Sequence, residues 1–481
     1  MSANSNNSIK QVLNISKTSK NPLPAIIGVG ALTVALFLPD MGGIGHSGWV
    51  AIGILAFTIT FWAAEVLPTA ATSMAVLVLL PTLGVLGYSE TFSHLGTVII
   101  WRLIAIFFLT AAVRKVGLGD RVAYRVMLFT KGRVVKTLFW VLLINFLLCF
   151  IIPNSYARTV MCVTVVVSWL EAARVEKGSN IGKAFMIAIP ISGSVTLCAT
   201  IIGASVDIFA AHMFLTLVGF QWTYVTWMIA CTPFCLVMIL VVFVVALLVF
   251  PPETRQLPEG EDEIRKKLEA LGPMRGREWF VLAVFSALLV FWFADVSELF
   301  PAEMLAACLL IFPHRFQALK WKESVSELQW DILLVFGASV AMAAALVHSG
   351  VVDWLSASVF SELGGLHPAL LVLLVCVISI LVRLGMSNMV AVVGILLPLL
   401  VTAAQGIGIN PVWLGMICVI SSCSCFFFPA QSTNTLFAYK FGYFKTSDLL
   451  KYGTVLLLGF IPVTMVTALF YWPLVILPIW S

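Results

Sequence analysis

The sequence predicts an all-α polytopic membrane protein, arranged as an inverted repeat of two halves with about eleven transmembrane helices and two opposed re-entrant hairpins. Three observations lead to this prediction. Hydrophobic residues make up 61% of the 481-residue chain and charged residues 11%, which is more apolar side chain than a soluble core can bury. Short polar breaks interrupt two apolar stretches at equivalent places in the two halves. The basic residues are distributed as a membrane topology requires.

The transmembrane helices are predicted from apolar stretches long enough to cross a hydrocarbon layer of roughly 30 Å. Eleven such stretches lie at residues 24–39, 48–66, 68–87, 98–116, 184–217, 226–250, 279–297, 302–313, 329–349, 411–436 and 452–479. Two further apolar segments, 138–170 and 367–402, carry the polar breaks (153–158 and 385–389) at their centres. Each is predicted to enter and leave on one side of the membrane, because non-helical backbone at that depth persists only where protein or a wet cavity surrounds it.

The two breaks occupy the same point of a duplicated unit. A Gly-Leu-Gly-Asp segment begins 37 residues before Asn154, at Gly117, and a Gly-Val-Val-Asp segment begins 37 residues before Ser387, at Gly350. A duplicated, interrupted apolar segment is typical of the binding site of a transporter. At such a site the broken helices aim backbone N–H groups at an anion, while unwound carbonyl groups hold a cation.

The basic residues predict the orientation of the chain, since cytoplasmic loops carry an excess of Lys and Arg. With the N-terminus in the cytoplasm and the C-terminus external, all 28 basic residues except Arg102, Arg158 and Arg383 fall in cytoplasmic segments. Basic loops flank the first hairpin and not the second, so the two hairpins are predicted to open to opposite sides. The predicted organisation is a cytosolic tail (1–23), a first repeat (24–250) with the inward-opening hairpin 138–170, a cytoplasmic linker (251–278) and a second repeat (279–481) with the outward-opening hairpin 367–402.

Other classes of protein are disfavoured by the same residues. The net charge of +5 is explained by orientation in the membrane, so the lipid bilayer is an expected partner and nucleic acid is not. The ten cysteines lie in apolar stretches without histidine at ligand spacing, which favours buried structural thiols over a metal site. No nucleophile stands beside a base and an orienting group, and we therefore do not expect an enzyme.

Several motifs resemble those of the divalent anion:sodium symporters, a family within the wider ion transporter superfamily. The stretch 61–68 (Phe-Trp-Ala-Ala-Glu-Val-Leu-Pro) is similar to an early Trp-x-x-Glu-x-x-Pro stretch, and the two breaks stand where the family has paired Ser-Asn-Thr motifs. Residues 199–203 and 422–432 resemble the broken helices that follow each hairpin. The resemblance implies a homodimer with a scaffold domain and an elevator-like transport domain, in the plasma membrane of a bacterium.

The departures from the family pattern bear on the substrate and on coupling. Met389 replaces the threonine of the second motif, which suggests a less polar or differently shaped anion than succinate. The first break most resembles the Pro-Ser-Asn-Thr-Ala-Arg of the dicarboxylate exchanger-like branch. Thr196 and Leu197 replace the paired glycines that help to form the first sodium site, and the Pro-Pro-Asn beyond Gly203 becomes Ser-Val-Asp, ending in Asp207.

The candidate site residues lie at the two breaks and in the polar run after Pro429. The resemblance and the cost of burying polar groups in an apolar span assign substrate binding to Asn154, Ser155, Tyr156, Arg158, Ser387, Asn388, Met389, Gln431, Ser432, Thr433 and Asn434. Ser387 and Asn388 are also the expected ligands of a sodium ion. A cation inside the membrane needs compensation, so Arg158 is expected to replace the first sodium ion, to contact a substrate carboxylate, or to pair with Asp207.

These features predict a secondary active transporter of anions, and the family resemblance implies di- or tricarboxylates as the substrates. Moving one charge across 100 mV corresponds to about 2.3 kcal/mol, so importing a dianion against an inside-negative potential costs about 4.6 kcal/mol. Sodium-coupled symport meets that cost, and electroneutral exchange for another anion avoids it. Alternative substrates are sulfate, a sulfonate or a monocarboxylate. An anion channel, which would not be a transporter, is the alternative function.

Overall fold

The computed structural model describes residues 22–40, 43–152, 154–257, 260–294, 300–312, 315–355, 366–386 and 388–480. Within these ranges the chain is helical and contains no β-strand, which confirms the predicted fold class. The helices are α1 (Leu23–Phe37), α2 (His46–Ala63), α3 (Thr69–Thr82), α4 (Tyr88–Ser93), α5 (Val98–Val116), α6 (Leu118–Phe129), α7 (Val134–Leu147), α8 (Ser155–Ala172), α9 (Asn180–Val195), α10 (Ser205–Val218), α11 (Tyr224–Val249), α12 (Gly260–Leu271), α13 (Gly276–Phe293), α14 (Phe300–Ile311), α15 (Trp321–Ser326), α16 (Trp330–His348), α17 (Val351–Leu355), α18 (Pro368–Gly385), α19 (Met389–Gly406), α20 (Pro411–Ser421), α21 (Thr433–Tyr439), α22 (Thr446–Val466) and α23 (Trp472–Val475).

Among the described residues, nine helical segments are long and apolar enough to cross a membrane. Of the six shorter apolar helices in the described ranges, three belong to pairs that meet at an interruption: α7, α10 and α20. Helices α7 and α8 flank the first polar break, and α18 and α19 flank the second. The predicted spans 184–217 and 411–436 are each divided into two helices, α9 with α10 and α20 with α21, joined by irregular backbone and a short 3-10 turn. These four interruptions provide the non-helical backbone that the sequence predicts.

The chain forms two compact units that do not follow the two sequence repeats. The first unit comprises residues 1–96 and 330–361, and the second comprises 97–329 and 362–481. In the first unit α1 packs on α2, and α3 packs on α16. Small side chains such as Ala51 and Ala341 are fully buried there and let the helices approach closely. Each unit thus takes helices from both repeats, and the repeat itself stays a prediction.

The second unit contains both hairpins and both divided helices. Helix α9 packs against α7, α8 and α11, while α19 packs against α10 and α20. The linker forms helix α12, which packs on α6 and α8. The buried Arg121 of α6 anchors the linker, since its guanidinium contacts Glu278 at 3.0 Å and donates a 2.5 Å hydrogen bond to the carbonyl of Gly272.

The duplicated Gly-x-x-Asp segments have the same local conformation. Gly117 and Gly350 adopt left-handed backbone with φ of 73° and 71°, a conformation that glycine reaches without a steric penalty. Each of them follows a long helix and precedes a short one, α6 or α17. The sequence analysis did not predict α4, α6, α15 or α17, because these short helices lack the continuous apolar run by which the spans were identified.

Candidate functional site

The first polar break is held by its own polar side chains. Asn154 is the N-cap of α8, and its Oδ1 accepts a 3.0 Å hydrogen bond from the backbone N–H of Ala157. Ser155 Oγ accepts a 3.5 Å hydrogen bond from Asn434 Nδ2, which joins the break to the polar run of α21. Tyr156 is 37% exposed and packs edge-on against Phe437, with ring centroids 6.0 Å apart. Pro153 lies outside the described residues.

Arg158 is fully buried at the end of the first break. Its Nη1 donates to the carbonyls of Ile152, at 2.8 Å, and Gly203, at 3.2 Å. Ile152 directly precedes the break, and Gly203 lies in the irregular segment between α9 and α10. Arg158 Nε and Nη2 have no hydrogen-bond partner in the described part of the chain, and no ion pair with Asp207 is formed there. The guanidinium is therefore anchored by one nitrogen and keeps donors available for an anion.

The second polar break repeats the cap of the first. Asn388 is the N-cap of α19, and its Oδ1 accepts hydrogen bonds from the backbone N–H groups of Val390, at 2.9 Å, and Ala391, at 3.3 Å. Met389 is half-buried at the start of that helix. Ser387, predicted both as a substrate contact and as a sodium ligand, lies outside the described residues.

A second buried arginine, Arg383, joins this break to the divided helix beside it. Its Nε donates to the carbonyl of Ser422 at 3.2 Å, its Nη2 donates to the carbonyl of Gln431 at 2.6 Å, and its Nη1 donates to the carbonyl of Met386. The sequence analysis gave Arg383 little functional weight. The structure gives it a contact pattern like that of Arg158, in which one guanidinium bridges the carbonyls of a break and of the neighbouring irregular segment.

The side chain of Gln431 is engaged with the backbone. Its Oε1 accepts hydrogen bonds from the N–H groups of Phe427, at 2.9 Å, and Phe428, at 3.0 Å, and its Nε2 donates to the carbonyl of Arg383 at 3.4 Å. Gln431 is 4% exposed. Its amide thus shapes the irregular segment that precedes α21.

Ser432 and Asn434 lie in a buried polar cluster that the sequence analysis only partly identified. Asn434 Nδ2 lies 3.3 Å from Ser194 Oγ, which in turn lies 3.5 Å from Ser432 Oγ. Thr159 and Asn145 complete the cluster around Gly193, where an added Cβ would lie 2.4 Å from Thr159 Oγ1 and 3.2 Å from Asn145 Nδ2. The Ser-Gly-Ser run at 192–194, inside an apolar stretch, is the sequence signal for these residues. Thr433, by contrast, is exposed.

The cluster keeps unpaired polar atoms in a buried place. Asn145 Oδ1, Thr159 Oγ1 and Asn434 Oδ1 have no hydrogen-bond partner among the described residues, although their side chains are almost fully buried. An unpaired buried polar atom costs about 1–3 kcal/mol. Together with the free donors of Arg158, these atoms give the region beside the first break several unpaired buried polar groups, as expected of a site that binds a polar ligand.

Sequence comparison places this arrangement among known membrane transporters. The profile of the sodium:sulfate symporter transmembrane region matches residues 19–478. Two curated relatives carry the name sodium-dependent dicarboxylate transporter SdcS. The protein from Staphylococcus saprophyticus is 26% identical over 408 residues, which are 80% of this chain and 78% of the relative. The protein from Staphylococcus aureus is 26% identical over 395 residues, 76% of this chain and 75% of the relative.

Two further comparisons give a relative without a named activity and a likeness of fold. A protein of Cupriavidus necator, named only as a membrane protein, is 26% identical over 417 residues, 81% of this chain and 80% of the relative. Among solved structures, Neisseria gonorrhoeae MtrF, described as illuminating a class of antimetabolite efflux pumps, superposes with a TM-score of 0.52. That match covers 90% of this chain and 97% of MtrF at 12% sequence identity, so the likeness is one of fold.

Proposed function

The chain belongs to the sodium:sulfate symporter transmembrane family, and on that basis we propose that it is a secondary transporter of organic anions with two or three carboxylates. The free donors of Arg158 beside the first break are the observation that supports this substrate class. Guanidinium nitrogens form charge-assisted hydrogen bonds with carboxylates, and the fixed planar geometry suits a bidentate contact. The family is one of transporters, and the protein is an integral multi-pass membrane protein rather than an enzyme.

The proposed binding site combines both breaks with the polar run after Pro429. Arg158, Ser155, Ser432 and Asn434 offer hydrogen bonds to the anion, with Asn154 and Asn388 as helix caps that orient backbone N–H groups. The remaining proposed residues line or shape the site: Tyr156, Ser387, Met389, Gln431 and Thr433. We expect the site to sit in a moving transport domain of a homodimer, in a bacterial plasma membrane, with the N-terminus cytoplasmic and the C-terminus external.

Sodium-coupled symport is the first candidate mode of transport. The relatives named as sodium-dependent dicarboxylate transporters support it, and Ser387 with Asn388 would hold the ion. Sodium entering with the anion offsets the charge of a dianion moving against the membrane potential. In this mode an inward sodium gradient drives accumulation of the substrate.

Electroneutral anion exchange is the second candidate mode, and the contacts of Arg383 favour it. Three backbone carbonyls that could coordinate a cation near the second break already accept hydrogen bonds from this guanidinium. Arg158 binds the corresponding carbonyls near the first break. A tethered cation supports anion binding but carries no ion gradient, so these contacts favour a transporter that exports one anion to import another.

Uptake into proteoliposomes tests the function and separates the two modes. In one arm, labelled succinate or citrate is added to vesicles that contain no substrate, under an inward sodium gradient. In the other arm, the same labelled anion is added without sodium to vesicles loaded with the unlabelled anion. Accumulation driven by sodium indicates symport, and uptake that requires internal anion indicates exchange. Saturable counterflow distinguishes either mode from a channel. If wild-type protein catalyses neither reaction with either anion, the proposed substrate class is wrong.

The variant Arg158→Gln tests the proposed anion contact. Loss of a charge-assisted bidentate contact costs about 3 kcal/mol, so we expect the apparent affinity to fall by roughly a hundredfold or more. The exposed Arg125 of α6 provides the matched control, and Arg125→Gln should leave uptake unchanged. Wild-type affinity in a correctly folded Arg158→Gln protein would contradict the assignment.

A further inference from the structure

Asp207 is a buried acid without a partner. It is the third residue of α10 and has no exposed surface. Neither carboxyl oxygen has a hydrogen-bond partner in the described ranges. An ionised carboxylate in such surroundings is costly by several kcal/mol or more, and buried acids respond by binding a proton.

Arg158 is the one basic side chain among the titratable groups that interact with Asp207 in the described part of the chain. The titratable groups that interact with the carboxyl across space are Arg158, Cys149, Cys198, Cys231 and Cys423. Helices α5, α19 and α20 pack on α10. Helix α19 carries no titratable side chain, and α20 carries Cys418. The basic residues of α5 all form ion pairs: Arg102, Arg114 and Lys115. His212 is the other titratable residue of α10 itself.

Arg158 and Asp207 therefore lie in one buried region, but they form no ion pair in the described part of the chain. The guanidinium lies beside the segment that leads into α10, since its Nη1 donates a 3.2 Å hydrogen bond to the carbonyl of Gly203, while its free Nε and Nη2 are the donors proposed to bind the substrate. An anion that binds Arg158 offsets the positive charge and adds negative charge near Asp207. Both changes favour the protonated acid, so anion binding and proton binding assist each other.

We propose that Asp207 is a proton-binding site, and that it couples proton uptake to anion binding through Arg158. The step is a simple protonation: one carboxyl oxygen takes a proton from water when the anion binds, and returns it when the anion leaves. No other bond changes. The coupling rests on the proposed role of Arg158 in anion binding, whereas protonation of Asp207 does not.

The proton site is tested by infrared difference spectroscopy of the full chain in lipid nanodiscs, recorded between acid and alkaline pH. We expect a carbonyl band of a protonated carboxyl group that shifts in D₂O and disappears as the pH rises. The band should be absent in Asp207→Asn, displaced in Asp207→Glu, and unchanged in Asp331→Asn, whose side chain is exposed. A band that persists in Asp207→Asn, or its absence in the wild type, would overturn the proposal. Wild type and Asp207→Glu alone decide the question if the Asn variant does not fold.

The link to Arg158 is tested without any substrate by the variant Arg158→Gln. Removing the guanidinium should move the midpoint of the Asp207 band to higher pH, by on the order of one pH unit for one charge at moderate distance. An unchanged midpoint would refute the link while leaving the proton site intact.

Counterflow of labelled succinate and citrate then tests the consequence for transport. In the wild type the apparent affinity should fall by up to tenfold for each pH unit above the midpoint, since one proton is linked to one anion. Asp207→Asn should retain counterflow and lose this pH dependence. A pH-independent wild type with intact counterflow would refute the coupling, whereas a wild type without counterflow of either anion would refute the proposed substrates and leave the infrared result standing.

Discussion

Replacing Arg383 by methionine removes the contacts that hold the second break against the irregular segment before α21. The wild-type guanidinium donates to the carbonyls of Met386, Ser422 and Gln431, and only 2% of the residue is exposed. Methionine preserves most of the apolar stem but leaves these carbonyls without their donor. Hydrogen bonds to a charged group are worth about 1.5–3 kcal/mol each, so loss of these three should lower the free energy of unfolding by about 4.5–9 kcal/mol.

The loss is measured by titrating the purified protein from mild detergent into SDS and following tryptophan fluorescence. A decrease of this size is a large part of the 5–15 kcal/mol typical of folded proteins. The exposed control Arg125→Met should change stability by no more than about 0.5 kcal/mol. A decrease below about 1 kcal/mol in Arg383→Met would show that the three hydrogen bonds do not hold this region together.

The smaller variant Arg383→Ala tests whether the guanidinium occupies a place suited to a cation. The freed carbonyls could then coordinate sodium, a hard cation that prefers oxygen ligands. We expect sodium chloride to raise the unfolding midpoint of this variant more than choline chloride does, and the wild type to show no such difference. Equal effects of the two salts on Arg383→Ala would contradict this interpretation.

Two further predictions concern the first half of the chain. Gly203→Ala should lower the free energy of unfolding by about 1–3 kcal/mol and weaken anion uptake. Its Cβ would lie 1.9 Å from the carbonyl oxygen of Leu197 and would displace the Gly203 carbonyl that accepts a hydrogen bond from Arg158. Gly385→Ala, which has open space around the added Cβ, is the control, and equal uptake by the two variants would count against this reasoning. Burial raises the pKa of Asp120 on α6 above that of an aspartic acid in the unfolded chain, so the folded state loses stability as the pH rises from the unfolded pKa to the folded pKa. Asp120→Asn should therefore be more stable than wild type near pH 7 and equally stable below about pH 4. A difference in stability that does not depend on pH would argue against a raised pKa of Asp120.

The apolar composition and the position of the breaks allowed the fold class to be predicted well. Long apolar runs mark helices because the bilayer requires every backbone group to be paired within its own segment. Asn154 and Asn388 were predicted as substrate-binding residues, and only the structure shows that their side chains cap α8 and α19. The short helices α4, α6, α15 and α17 were not predicted, because their partly polar surfaces resemble loops when no neighbour is known.

The candidate site was predicted only in part, because local motifs do not report long-range contacts. The breaks and the polar run after Pro429 were identified from the chain, and the structure joins them through Ser155 and Asn434. The involvement of Asn145, Thr159 and Ser194 depends on how α7, α8 and α9 pack around Gly193. Their polarity was visible in the sequence, but their convergence was not.

The sequence by itself determined that this is a polytopic helical membrane protein with two interrupted hairpins and buried cations beside them. These properties follow from composition and from the cost of placing polar groups in hydrocarbon, which act on each segment locally. The partners of those cations were decided only by the tertiary structure. It directs Arg383 to three backbone carbonyls and leaves Arg158 with free donors and Asp207 without a partner, because such contacts depend on the packing of helices that are distant in the chain.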